Sequence, residues 1–140
     1  ELTATSYYES VAEIKEAFGE HDLTEVRQGL DSLLEAMSQD SRRALKSQLV
    51  RLMMHVIKWK IQPDKRTRSW LVSINHARFS IEDIREDKPS LTRRFIEEDL
   101  WDVCFRRALL EAQDETGSSE TVEFLTWEEV FETRYRLPNA

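Results

Sequence analysis

Apolar side chains recur along most of this chain at spacings of three and four, the interval that places them on one face of an α-helix. Tyr7, Val11, Ile14 and Phe18 follow one another at 4, 3 and 4, predicting a first helix over about 6–18 with Gly19 as its stop. Asp22-Leu-Thr-Glu25 reads as a capping box opening a second helix. The stripe of that helix is Leu23, Val26, Leu30, Leu33, Leu34 and Met37, and Gly29 within it offers a place for close backbone approach. So short a connection predicts that the two helices fold back antiparallel. A third helix is expected over about 39–61, with Leu45, Leu49, Leu52, Met53, Val56 and Ile57 as its apolar stripe. Arg42, Arg43, Lys46 and Arg51 fall on its other faces, and Pro63 ends it by pushing the preceding residue out of the α region.

Past a basic connector, with Asp64 as the expected N-cap, a fourth helix carries Trp70, Ile74, Ala77, Ile81 and Ile84. Pro89-Ser90 reads as a stop followed by a cap. A fifth helix over about 91–114 is expected to bury Phe95, Leu100, Val103, Cys104 and Leu110. Gly117-Ser-Ser is a loop, Thr126-Trp-Glu-Glu129 a second capping box opening a short helix, and the tail from Arg134 irregular. The pattern predicts an all-α fold, a compact bundle of about five helices plus a short C-terminal one, in a single domain over 1–140.

Composition sharpens this reading. Three Gly and three Pro in 140 residues leave few of the turns that sheet-rich folds need. The chain is 40% hydrophobic and 34% charged, a globular balance. A single cysteine, Cys104, excludes an internal disulfide and a thiolate zinc framework, which suits a reducing compartment. No apolar run approaches the ~20 residues of a membrane span and no signal peptide is evident, so a cytoplasmic location without membrane contact is expected. The sequence opens at Glu1 without an initiator Met, which leaves room for residues ahead of it.

Charge is distributed in blocks. Residues 1–41 carry two basic side chains against ten acids, a net −8; residues 42–78 carry ten against one, a net +9; residues 79–140 are again −8. Opposite-sign blocks in one chain neutralise one another first, and whatever basic surface is left over is available to an anionic partner.

Candidate chemistry is sparse. His21, His55 and His76 lie at no spacing that two ligands on one helix face require, and neither they nor Cys104 form a metal pattern. No nucleophile elbow occurs, and three glycines at 19, 29 and 117 cannot build a phosphate loop. No catalytic residue, metal or cofactor is expected, and the balance leans away from an enzyme. The densest information lies between His55 and Ile81. Two tryptophans, Trp59 and Trp70, flank a tight basic corner holding Lys58, Arg66, Arg68 and Arg78. Tryptophan and arginine dominate binding hot spots, and they also build corners in small bundles. Lys58, Arg66, Arg68 and Arg78 form the candidate interaction face; His55, Trp59, Pro63, Ser69 and Trp70 read as structural.

His55-Val-Ile-Lys58-Trp59-Lys-Ile-Gln62-Pro63-Asp-Lys-Arg66-Thr-Arg-Ser69-Trp70, followed by Ile74, Arg78, Ile81 and Pro89-Ser90-Leu91, resembles the domain-of-unknown-function family 29. The similarity extends upstream to the Leu30–Met37 stretch and Arg43 and downstream through the fifth helix. Ala36-Met37-Ser38 departs from it, where members often carry a second acid pair and a glycine. The resemblance implies an intracellular bacterial α-helical protein without an established activity, cofactor or catalytic residue. Three readings follow. The first is a protein–protein interaction or regulatory module that docks an acidic or aromatic partner at the basic corner. The second is weak nucleic-acid binding by the 42–78 segment, with Lys and Arg tracking phosphates and Trp stacking bases. The third is an enzyme with an unrecognised acid–base site, which would need His55 and an ionisable partner in a concave pocket. The oligomeric state is open.

Overall fold

The computed structural model describes residues 4–19 and 22–138, and every regular element among them is helical, as the pattern predicts. Helix α1 spans Ala4–Gly19 and α2 spans Leu23–Ile61. A 3-10 turn at Pro63–Lys65 leads into α3, Arg68–Asp87. Helix α4, Arg93–Phe95, runs through a π turn at Ile96–Leu100 into α5, Trp101–Thr116, and α6 is Trp127–Phe131. His21 lies outside the described residues.

The second and third expected helices are one. Ser38-Gln-Asp-Ser41 is polar but contains neither Pro nor Gly, so nothing interrupts the backbone ladder, and the Ser41 hydroxyl donates back to Met37 O at 3.2 Å. The chain nevertheless divides into two compact units, residues 1–43 and 44–140, with α2 contributing to both.

The first unit is a helical hairpin. Ile14 faces Gly29 so closely that a Cβ at Gly29 would stand 2.7 Å from Ile14 Cγ1, the close approach expected of this glycine. Near the other end, the Tyr7 hydroxyl donates to the Asp40 carboxylate. Tyr7 by Asp40 and Ile14 by Gly29 fix the antiparallel sense. Glu25 N–H donates to Asp22 Oδ1 at 3.0 Å, completing one half of the predicted capping box. The stripes are only partly covered. Val11 and Phe18 on α1, and Leu23, Leu30, Leu34 and Met37 on α2, are exposed, with Leu34 at 61%. Two helices have one mutual contact line, and a stripe wider than that line stays open.

The second unit is built around the C-terminal half of α2. Leu45, Leu49, Leu52, Met53, Val56 and Ile57 are completely buried, the stripe predicted for them. From Leu52 to Trp59 every residue is buried, so this half of the helix is surrounded rather than one-sided. Helix α3 presents Ile74, Ala77 and Ile81 to the core, in the expected phase.

Helix α5 corrects the predicted phase: Val103 and Leu110 are exposed, and the buried line is Cys104, Ala108 and Ala112. Small residues four apart let two backbones come close, and Cys104 Sγ lies 3.8 Å from Lys46 O of α2. Proximity of the backbones, rather than bulk of the side chains, selects that face. Two caps also move. The α3 N-cap is Thr67, accepting from Trp70 N–H at 3.2 Å, while Asp64 sits in the 3-10 turn. Thr92 instead of Ser90 caps α4, accepting from Phe95 N–H at 3.1 Å. The Thr126–Glu129 capping box forms as predicted.

Candidate functional site

The basic corner closes on itself. Pro63 starts the 3-10 turn that carries the chain from α2 back towards α3. This brings Arg66 onto Trp59: its Nε donates to Trp59 O at 2.9 Å, and its guanidinium lies 4.7 Å from the indole centroid. Lys58, read from the sequence as part of the candidate interaction face, is buried. Its ammonium sits 4.7 Å over the Trp70 ring and donates to Glu115 Oε2 at 2.8 Å, tying α2 to the end of α5. Trp59 is buried and Trp70 half-buried, while Arg68 and Ser69 are exposed on the first turn of α3. The fold therefore brings Lys58, Arg66, Trp59 and Trp70 together as internal fastenings and leaves Arg68 to solvent.

Arg78 serves a different junction. Its Nε donates to Val130 O at 2.9 Å and its Nη2 to Glu129 O at 3.3 Å, and its guanidinium approaches the Tyr135 ring at 5.6 Å. Burial lowers its pKa, and the neighbouring Tyr135 opposes that shift. Glu129 is the hub. Its backbone oxygen also accepts from the Tyr135 hydroxyl at 2.6 Å, and its carboxylate accepts from Lys60 Nζ and from Thr126 N–H at 3.0 Å. Burial pushes the Glu129 pKa upward, but the hydrogen bonds from Lys60 and Thr126 outweigh it and the net shift is down. Tyr135, 5.5 Å from Trp59 between centroids, is pushed up to about 12 by burial and by Glu129. The tail from Arg134, expected to be irregular, does lack regular structure, yet Tyr135 packs onto the core.

A concave surface in this unit lies beside Arg78. A cleft of about 520 Å³ runs between α3, the 88–92 turn and α6, with Ile81, Leu91, Trp127 and Phe131 as its apolar lining and Arg78, Arg85, Glu82 and Glu86 as its charged groups. Trp127 stacks on Trp101 at 5.7 Å between centroids and meets the Phe131 ring in a tilted contact at 4.3 Å. Two guanidiniums approach Trp127, Arg93 at 4.5 Å and Arg85 at 6.0 Å. Arg85 is oriented by its Nε donating to Leu91 O at 2.9 Å, and Arg93 pairs with Glu97. A smaller cleft, shared by Arg93, Glu97, Trp101, Leu125 and Trp127, adjoins it. Sequence reasoning read Trp127 only as part of a capping box. Its distance of 57 positions from Trp70 hid a second Trp–Arg cluster, the one at this cleft.

Neither cleft includes His55. Its Nδ1 lies 2.9 Å from Arg51 O, and burial holds its pKa below the ordinary imidazole value against the pull of that carbonyl. Burial pushes the Cys104 thiol up to about 11, which keeps it protonated and unreactive. Among the described residues no three His, Cys, Asp or Glu side chains converge as a metal site would require, and no helix is long and apolar enough to cross a membrane.

Comparison with known proteins agrees with the sequence resemblance. No curated protein and no solved structure matches the chain. A family model does, over residues 7–135, a span that takes in the hairpin, the basic corner, the cleft and the Tyr135 anchor. The chain thus belongs to the family described as domain of unknown function DUF29.

Proposed function

We propose that this protein is a protein-interaction module whose docking site is the cleft between α3 and α6. The observation that carries the reading is the half-buried Trp127, open to the cleft and approached by the guanidiniums of Arg85 and Arg93. Trp and Arg at the centre of a concave apolar patch are the residue types that carry most binding energy between proteins. The occupant is a segment with one apolar side chain for the Trp127–Phe131 wall and a carboxylate for Arg85. The two glutamates on the rim, Glu82 and Glu86, oppose a polyphosphate, and three of the four basic residues of the candidate face are already engaged inside the fold. That favours a protein partner over a nucleic acid. Intracellular action in a bacterial cell is part of this proposal.

The test is site-specific photo-crosslinking in cells, with the photoreactive residue placed at Glu82 on the cleft rim or at Leu110, which is exposed on α5 and does not line the cleft. Adducts with one protein species from position 82 and not from 110, unaffected by nuclease, are the expected result. Adducts sensitive to nuclease, or equal from both positions, would overturn it.

A further inference from the structure

We infer that the helical hairpin of residues 4–43 is a self-association arm, and that its open apolar side is covered by the same side of a second copy of this chain. The inference rests on the hairpin alone and is independent of the cleft. The two sides of the hairpin differ in chemistry. One side is a polar groove lined by Ser10, Glu13, Glu25, Gln28 and Ser32 around the Ile14–Gly29 contact. Counting about 100° per residue, Ser10 and Glu13 lie on one side of Ile14 while Val11 and Phe18 lie on the other. The same count on α2 puts Glu25, Gln28 and Ser32 on one side of Gly29 and Leu23, Leu30, Leu34 and Met37 on the other. In an antiparallel pair these displacements point the same way, so all six apolar residues share the side opposite the groove. Their exposures run from 45% at Leu30 to 66% at Leu23.

The charges decide what covers that side. The hairpin segment carries a net −8 over residues 1–41, which repels nucleic acid and anionic lipid surfaces. The groove-side acids Glu9 and Glu13 would stay solvated in a face-to-face pair. Its two bases, Lys15 and Arg27, fall by the same count beside the apolar side, where Asp31 also lies on the outer edge of α2, while Glu16 and Glu35 turn towards the groove, all exposed. A rim with both signs is self-complementary under a two-fold axis. The area is also sufficient. A 16-residue helix is about 24 Å long and two packed helices about 20 Å across, so two such faces cover about 1,000 Å², the threshold of a specific interface. Two hairpins joined in this way make a four-helix bundle.

In an isologous pair the centre of the patch lies on the axis, and Leu30 is midway between Leu23 and Met37. Sedimentation equilibrium on the full chain should therefore give a dimer. The Leu30→Ser/Leu34→Ser double variant should weaken association at least about tenfold, whereas Leu110→Ser should not. Leu30→Cys should form an interchain disulfide under mild oxidation, and Leu110→Cys should not. Far-UV circular dichroism of every variant shows that it is folded. A folded chain that stays monomeric into the high micromolar range would overturn the inference, as would a dimer indifferent to Leu30 and Leu34. Capture of the monomeric chain by a basic amphipathic peptide or by zwitterionic vesicles would assign the face to another occupant and overturn it equally.

Discussion

Leu52 and His55 sit within one turn of each other on α2 and are both buried, yet burial does opposite things to them. Leu52 is completely inaccessible, and Leu52→Ala removes its dispersion contacts and leaves a cavity. Urea unfolding should show a loss of about 2–5 kcal/mol, against a few tenths for an exposed apolar residue such as Leu110. His55 is desolvated, so its charged form is disfavoured and its folded pKa lies below the value near 6.5 of the unfolded chain. The unfolded state then takes up the proton first. Stability from this group is complete above that unfolded value and declines as pH falls below it. Melts at pH values either side of about 6.5 should show a lower midpoint on the acid side, with a smaller drop in His55→Gln. Glu129, whose pKa is lowered, adds its own loss only below the ordinary carboxylate range, so the two effects separate on the pH axis.

At the scale of elements, local sequence rules worked where the signal was a spacing and failed where it was a choice among neighbours. The Thr126–Glu129 box is a fixed spacing, and it closes as predicted, with Glu129 N–H donating to Thr126 Oγ1 at 3.1 Å. Thr126→Ala should cost about 1 kcal/mol by chemical denaturation. It should also loosen Tyr135, whose hydroxyl depends on the Glu129 carbonyl, and tyrosine fluorescence quenching would report that. Asp64 and Thr67, or Ser90 and Thr92, are alternative caps a few residues apart, and the choice between them follows from where the packed helix must begin. The exposed Val103 and Leu110 have the same origin: hydrophobicity names them as core, but the close approach at Cys104, Ala108 and Ala112 turns them outward. The Trp–Arg corner was legible as a cluster because its members are near in sequence. The Trp127 cleft was not, because it assembles α3, α6 and the turn at 88–92.

For the whole molecule, α2 is one helix of 39 residues that serves two compact units. Its backbone is uniform, so its resistance to opening follows its surroundings. Amides from Leu49 to Ile57, enclosed by the larger unit, should exchange with solvent far more slowly than those from Leu23 to Met37. Hydrogen exchange followed by NMR checks this, and equal protection along the helix would contradict it. The sequence by itself determined the all-α class, the main buried stripes of α2 and α3, the two-helix hairpin and the family, because each depends on spacing along one segment. Only the tertiary structure decided the rest: which stripes are covered, which basic residues are already engaged, and where tryptophan and arginine remain open together. Those outcomes depend on which segments meet, and the energy of a contact belongs to both partners, while a pattern along the chain describes one of them at a time.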